Sequence, residues 1–177
     1  MAGNLLLRRH GPPFLAKAWR AAEDAAGQPT DRLNGLIHLV ETALWTAFWF
    51  LDAERVARGL EEPGQVTHLL DKLDRPALGD VHQAVGALAG LRTTRLDRLA
   101  SAMSTTSFSN AVVAVNQARN RWAHAEAQKT AAVASELLAT VEPHVRALST
   151  GLAALAMPVF VVEAELQQSA SDFYRVR

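Results

Sequence analysis

The stretch LNGLIHLVETALWTAFWFL, residues 33–51, decides the fold class of this chain. Its apolar residues recur at intervals of three and four, as they do along one side of an α-helix. Trp45, Trp49 and Phe50 extend the apolar surface beyond that side. A helix that is apolar on more than one side is buried centrally or lies at an interface. We therefore predict a long helix, ending near Gly59, that is the central helix of a bundle or forms a dimer.

The segments on either side of this stretch also have helical periodicity. Apolar residues at helical spacing predict helices over 12–26, 66–73, 80–92 and 111–124, and a last long helix that Thr130 caps and that is kinked or interrupted at Pro143. Residues 101–110 are rich in Ser and Thr and predict a loop. The expected fold is an all-α bundle of four to six helices with an up-and-down core, and it spans residues 1–156.

The C-terminal residues 157–177 differ in character from the rest of the chain. β-branched residues partly alternate with polar ones over Pro158–Leu166, and a short alternation follows over Phe173–Val176. This pattern predicts a small β-hairpin. Because the chain finishes within a predicted strand, we interpret 157–177 as an extension of the helical domain, or as the start of a longer parent chain.

Composition excludes several classes of function. The 177 residues carry 18 basic and 18 acidic side chains, and this balance argues against a protein that binds nucleic acid by bulk charge. The absence of Cys excludes disulfides, Cys-ligated zinc and thiol nucleophiles. No Gly-rich phosphate loop or metal-ligand spacing occurs, so we expect no cofactor and no metal. Without a signal peptide or an apolar run long enough to cross a bilayer, we expect a cytoplasmic protein with no membrane association.

The stretch with the most chemistry is Asn116–His124, which contains Arg119-Asn120-Arg121-Trp122-Ala123-His124. An Arg followed by a His after four to six residues occurs three times in this chain, so that spacing alone carries little information. The first occurrence, Arg32 to His38, lies within the long helix, and the second, Arg75 to His82, crosses a Pro-Gly turn. The third is distinct because Asn follows its Arg and Ala precedes its His.

This fuller form resembles the signature of the HEPN superfamily, whose members are all-helical domains and include many metal-independent ribonucleases of bacterial toxin and phage-defence systems. The predicted order of helices is similar over most of residues 12–155. The resemblance implies a homodimer in which two such motifs meet, an RNA substrate, and an antitoxin or defence-system partner. It also implies attack of a ribose 2′-hydroxyl on the adjacent phosphate, which leaves a cyclic phosphate end. A Tyr that some HEPN toxins carry two residues after the His is replaced here by Glu126, so regulation through that Tyr is not implied.

The residue types suit this chemistry. His124 can transfer a proton near neutral pH, Arg119 can stabilise the charge that builds on phosphorus, and Asn120 can orient the phosphate or the His. On a helix, Asn120 and His124 share a face. Arg119 points roughly 140° away from His124, so we expect one protomer to hold only part of a site.

Other arginines are candidates for binding RNA. Arg92, Arg95 and Arg98 recur at intervals of three, and on a helix they would form a basic stripe. This stripe is a set of phosphate contacts or an ordinary solvated face. Arg121 of the motif is a further candidate.

Two further alternatives remain open for the motif as a whole. The chain is a non-catalytic HEPN-like module for dimerisation or for nucleotide or RNA sensing in a larger defence protein, or its polar motif only holds neighbouring helices together.

Overall fold

The computed structural model describes residues 13–91, 96–124 and 129–154, which form seven helices and no strand. The helices are α1 (Pro13–Asp24), α2 (Pro29–Ala57), α3 (Gly64–Leu70), α4 (Leu78–Gly90), α5 (Asp97–Met103), α6 (Thr106–His124) and α7 (Ala131–Ala154). The prediction of an all-α bundle is confirmed, although seven helices replace the four to six expected. The hairpin predicted over 157–177 lies outside the described residues, and so do Arg92 and Arg95. None of the helices in the described part of the chain combines the length and apolarity that crossing a bilayer requires.

Helix α2 is the centre of the bundle, as its sequence predicts. It packs against α1, α4, α5, α6 and α7. Leu33, Leu39, Val40, Leu44 and Phe48 are completely buried along it. Each such side chain contributes about 1.5–3 kcal/mol by leaving water. The core therefore surrounds α2, and only the part of its surface that the other helices leave uncovered is available for a site.

The loop predicted over 101–110 was wrong. Helix α5 continues to Met103, and α6 already begins at Thr106. Leu99, Ala100 and Met103 are buried in the core, and this burial outweighs the low helix propensity of the neighbouring serines and threonines. The side chain of Thr105 accepts a hydrogen bond from the backbone N–H of Phe108 at 3.2 Å and so caps the start of α6.

Helices α6 and α7 pack against each other and against α2, and the Arg119 motif forms the C-terminal part of α6. Helix α6 ends at His124. Thr130 caps α7, as predicted, by accepting a hydrogen bond from the backbone N–H of Val133 at 3.3 Å. Helix α7 then continues through Pro143, which lies on its exposed side, instead of being interrupted there.

Ion pairs hold both ends of α2. Near its beginning, Arg32 donates to Glu142 of α7, and Arg146 donates to the same carboxylate. Near its end, the buried Arg55 donates to Asp52 at 2.7 Å and to Glu62 at 3.1 Å, which fastens the turn that follows the helix. The long helix is therefore fixed relative to both the last helix and the loop before α3.

Candidate functional site: a groove between α2 and α6

The motif residues of α6 divide between the core and the surface. Ala118 and Trp122 are buried, which anchors this end of α6 in the bundle. Arg119 is partly exposed, whereas Asn120 and His124 are exposed. The helix therefore presents all three predicted catalytic side chains to solvent, although in different directions.

Arg119 reaches across to the central helix. Its Nε atom lies 2.9 Å from Oε1 of Glu41, and the two residues form an ion pair between α6 and α2. Both side chains remain open to solvent, since 43% of Arg119 and 29% of Glu41 are exposed. The pair sits in a groove of about 690 Å³ that we call the Arg119 groove. The groove is lined by His38, Glu41, Thr42, Trp45, Thr46 and Trp49 of α2, by Arg75, Pro76, Leu78 and Val81, and by Arg119.

The α2 side of the groove is a single stripe of the helix, with residues three or four apart from His38 to Trp49. Its far end is aromatic. The rings of Trp45 and Trp49 stack with centroids 6.1 Å apart and an angle of 23° between their planes. Trp45 also meets the buried Phe48 edge to face at 5.8 Å, so the stack is anchored in the core. Trp49 is 51% exposed and forms an outward-facing aromatic surface.

The opposite side of the groove is formed by the turn before α4. Arg75 is exposed there, while Leu78 and Val81 are buried where α4 packs on α2. The groove thus brings together one residue from each of the three Arg-to-His spacings in the sequence, namely His38, Arg75 and Arg119.

The sequence interpretation missed His38, Glu41 and Arg75 as site residues. The available signal was the polar series at helical spacing (His38, Glu41, Thr42, Thr46) within an otherwise apolar helix. Such a series marks a side of the central helix that the other helices leave uncovered.

Asn120 and His124 do not line the groove. They fall on the exposed stripe of α6 that also carries Val113 and Gln117, all at helical spacing. Val113 is 48% exposed, which is unusual for a large apolar residue in this protein. His124 is roughly 7.5 Å further along α6 than Arg119 and about 140° round the helix from it. The divergence predicted from the sequence follows directly from the helical conformation of residues 119–124.

The arginines predicted to bind RNA are not assembled into one stripe by the described residues. Arg121 pairs with Glu136 of α7, with Nη1 and Oε1 2.9 Å apart, and both side chains are more than half exposed. Arg98 is exposed in the first turn of α5. Because Arg92 and Arg95 lie outside the described residues, the basic stripe stays a prediction.

In the described part of the chain, the acidic and histidine side chains do not form a metal-binding cluster. Within residues 13–91, 96–124 and 129–154, no group of three or more of these side chains has an arrangement that could hold a metal ion. The polar groups of the Arg119 groove are instead a mixture of cationic, hydroxyl and carboxylate groups beside an aromatic surface. Such a mixture is suited to a ligand with both a planar ring and an anionic group.

Comparisons with protein-family models, curated proteins and solved structures give no match for this chain. The groove and the α6 motif are therefore the features of the molecule that bear on its function.

Proposed function

We propose that this protein is a metal-independent endoribonuclease of the HEPN type that acts as a homodimer, in bacterial phage defence or as a toxin. The observation that carries the proposal is the arrangement at the end of α6. Arg119 lines an open groove, and Asn120 and His124 are exposed on another side of the same helix. All three groups that the proposed cleavage needs are thus available to solvent.

The proposed reaction requires only proton transfer and charge stabilisation. His124 of one protomer accepts the proton of a ribose 2′-hydroxyl, and the oxygen attacks the adjacent phosphorus. The bond from phosphorus to the 5′-oxygen breaks, and that oxygen takes a proton from water, while His124 returns its proton to the solvent. The products are a 2′,3′-cyclic phosphate and a 5′-hydroxyl. The guanidinium of Arg119 stabilises the additional charge on the phosphate oxygens through planar paired donors.

The homodimer follows from the direction of the side chains. Arg119 faces the groove and His124 does not, so one protomer does not bring both groups to one phosphate. We propose that the exposed α6 stripe of Val113, Gln117, Asn120 and His124 packs beside the Arg119 groove of the second chain, so that His124 of each chain meets Arg119 of the other. A two-fold axis makes this contact reciprocal, because each chain then presents the same surfaces to the other.

One observation favours a second candidate, a non-catalytic HEPN-like module that dimerises or senses a nucleotide or RNA within a larger defence protein. The carboxylate of Glu41 lies against Arg119 and neutralises the cation that would stabilise the transition state. The net charge of zero also offers no long-range attraction for RNA.

Cleavage of RNA without metal tests the catalytic proposal. Purified protein is incubated with single-stranded RNA in EDTA, beside Arg119→Ala, His124→Ala and the control His68→Ala. His68 is an exposed histidine of α3 that does not line the groove. We expect the wild type and the control to produce cyclic phosphate ends and His124→Ala to be slower by about 10²–10⁴-fold. If a well-folded wild-type dimer leaves the RNA intact, the protein is not this nuclease.

Mixing two inactive variants tests the composite site. In a dimer of Arg119→Ala with His124→Ala, one chain supplies an intact Arg119 and the other an intact His124. We expect cleavage to return after subunit exchange, although below the wild-type rate. A mixture that stays as inactive as its components, while the wild type cleaves, would show that both residues act within one protomer.

A further inference from the structure

The aromatic end of the Arg119 groove has no role in the cleavage chemistry. The ring of Trp49 stacks on Trp45 at 6.1 Å and meets Phe48 edge to face at 4.9 Å, and the residue is nevertheless 51% exposed. The stack with Trp45, which itself meets Phe48, restricts the orientation of the ring. An oriented aromatic ring with an open side is a surface on which another flat ring can stack.

The groups around this surface define the chemistry of a ligand. Arg75 supplies an exposed guanidinium on the other side of the groove, which can bind a phosphate. Thr42 and Thr46 also line the groove and provide hydroxyl oxygens, although the hydroxyl of Thr46 already donates to the backbone carbonyl of Thr42 at 2.7 Å. A fully apolar ligand would make no use of the Arg75 guanidinium or the Thr42 hydroxyl, and a bare anion would leave the aromatic surface unused. A nucleotide satisfies both, because it joins a flat base to a phosphate through a ribose with hydroxyl groups.

We propose that the Arg119 groove is a subsite for one unpaired nucleotide of the RNA, with its base stacked on Trp49 and its phosphate bound by Arg75. This inference rests on the proposed function and specifies how its substrate is held. Trp49 lies about two turns along α2 from Glu41, which corresponds to roughly 12 Å along the helix axis. The nucleotide on Trp49 is therefore a neighbour of the one that is cleaved. Because both faces of a base in a duplex are already stacked, the subsite selects single-stranded RNA.

Binding of an uncleavable strand tests the subsite separately from cleavage. The probe is a short single-stranded RNA with 2′-O-methyl riboses, which lack the attacking hydroxyl, and its affinity is measured by fluorescence anisotropy. We expect Trp49→Ala to weaken binding by roughly tenfold, in line with the loss of one stacked base, and Trp49→Phe to retain most of the affinity. Because Trp49 is half exposed, these variants are expected to fold, and circular dichroism checks that they do.

The salt dependence of binding separates stacking from charge. Arg75→Ala is expected to reduce the slope of log affinity against log salt concentration by about 0.7, which is the effect of one phosphate contact with a single strand. Trp49→Ala is expected to leave this slope unchanged. Leu73→Ala changes an exposed residue of the same turn as Arg75, and Arg58→Ala removes an exposed cation outside the groove. Both controls are expected to bind as the wild type does.

Three results would overturn the subsite. The first is that Trp49→Ala binds the strand as tightly as the wild type does. The second is that the wild type binds duplex and single-stranded RNA equally. The third is that it binds a mononucleotide as tightly as the strand, which would indicate a site for free nucleotides.

Failure of the proposed function has a different signature. If the strand binds and depends on Trp49, yet the wild type cleaves no RNA, the subsite stands and the nuclease does not. If RNA is cleaved but binding is independent of Trp49, only the subsite is wrong.

Discussion

Arg119 of α6 and Glu41 of α2 form an ion pair, 2.9 Å between Nε and Oε1, within a groove open to solvent. Because both side chains are partly exposed, the pair contributes at most about 1 kcal/mol to stability. Its main consequence is local. Under the proposed function, the phosphate of an RNA would have to approach the guanidinium on the side that this carboxylate occupies, so Glu41 would compete with RNA for Arg119.

Replacing Glu41 with Gln should release this competition. We expect the affinity for the 2′-O-methyl strand to rise severalfold, because a negative charge is removed beside the bound phosphate, while the free energy of unfolding changes by less than about 1 kcal/mol. Anisotropy and urea denaturation measure the two quantities. Glu61→Gln is the control, since it removes the charge of an exposed acid that does not line the groove, and its affinity should stay at the wild-type value. Affinity that stays the same or falls would mean that Glu41 does not compete with RNA.

Gly35 allows α1 and α2 to approach each other closely. A Cβ atom at this position would lie 3.0 Å from both Cα and Cβ of Ala22, and the backbone of α1 would have to move away. We expect Gly35→Ala to destabilise the protein by about 1 kcal/mol, because overpacking exceeds the gain in helix propensity. Urea denaturation gives the value.

The control for this substitution is Gly86→Ala in α4. A Cβ atom there meets nothing within 4 Å, so only the gain in helix propensity remains. We expect this variant to be more stable by about 0.5–1 kcal/mol. Equal effects of the two substitutions would contradict the close packing of α1 on α2.

Glu142 makes the contact between α2 and α7 dependent on pH. Burial raises the pKa of this carboxyl, but hydrogen bonds from Arg146 and Arg32 outweigh that effect and hold the pKa below its ordinary value of 4.5. A carboxyl with a lowered pKa in the folded state stabilises the fold above pH 4.5, and this contribution is lost as the pH falls through the folded pKa.

Glu142→Gln should therefore lower the free energy of unfolding by about 1 kcal/mol near neutral pH. Below the pKa of Glu142 in the folded state, it should lower that free energy by almost nothing. The measurement is the free energy of unfolding in urea across that range, with Glu61→Gln, an exposed acid, as the control. A cost that does not change with pH would contradict the ion pairs as its cause.

The stability of the fold should also depend on pH through His82, in a range above that of Glu142. Its ring meets the buried Phe108 edge to face at 6.0 Å, and burial lowers the pKa of His82 below its ordinary value of 6.5. The unfolded chain therefore binds the proton more readily than the folded one. Stability should be complete above pH 6.5 and decline as the pH falls from there toward the folded pKa.

Substitution of His82 with Gln should flatten this part of the pH profile, because the replacement does not titrate. Thermal unfolding from pH 8 downward measures the effect, and His68→Gln, at an exposed position, should keep the wild-type slope. A profile that is unchanged in His82→Gln would assign the decline to another group.

The apolar periodicity of the sequence was sufficient to predict most of the helices. Residues 33–51 predicted a long central helix, and the series leading to His124 predicted the helix that carries the motif. Thr130 was recognised as a cap from its position alone. Helix α5 was missed because the stability of residues 97–103 comes from burying Leu99 and Met103 against other helices, whereas their own sequence favours a loop.

By itself, the sequence determined that this protein is helical and that Arg119 and His124 diverge around α6, because both depend on a backbone repeat that acts over a few residues. Only the tertiary structure decided that Arg119 meets Glu41, and that His38, Arg75 and Trp49 share its groove. Those contacts join segments that are distant in the chain. They depend on how α2, α4 and α6 pack around one core, which no local spacing specifies.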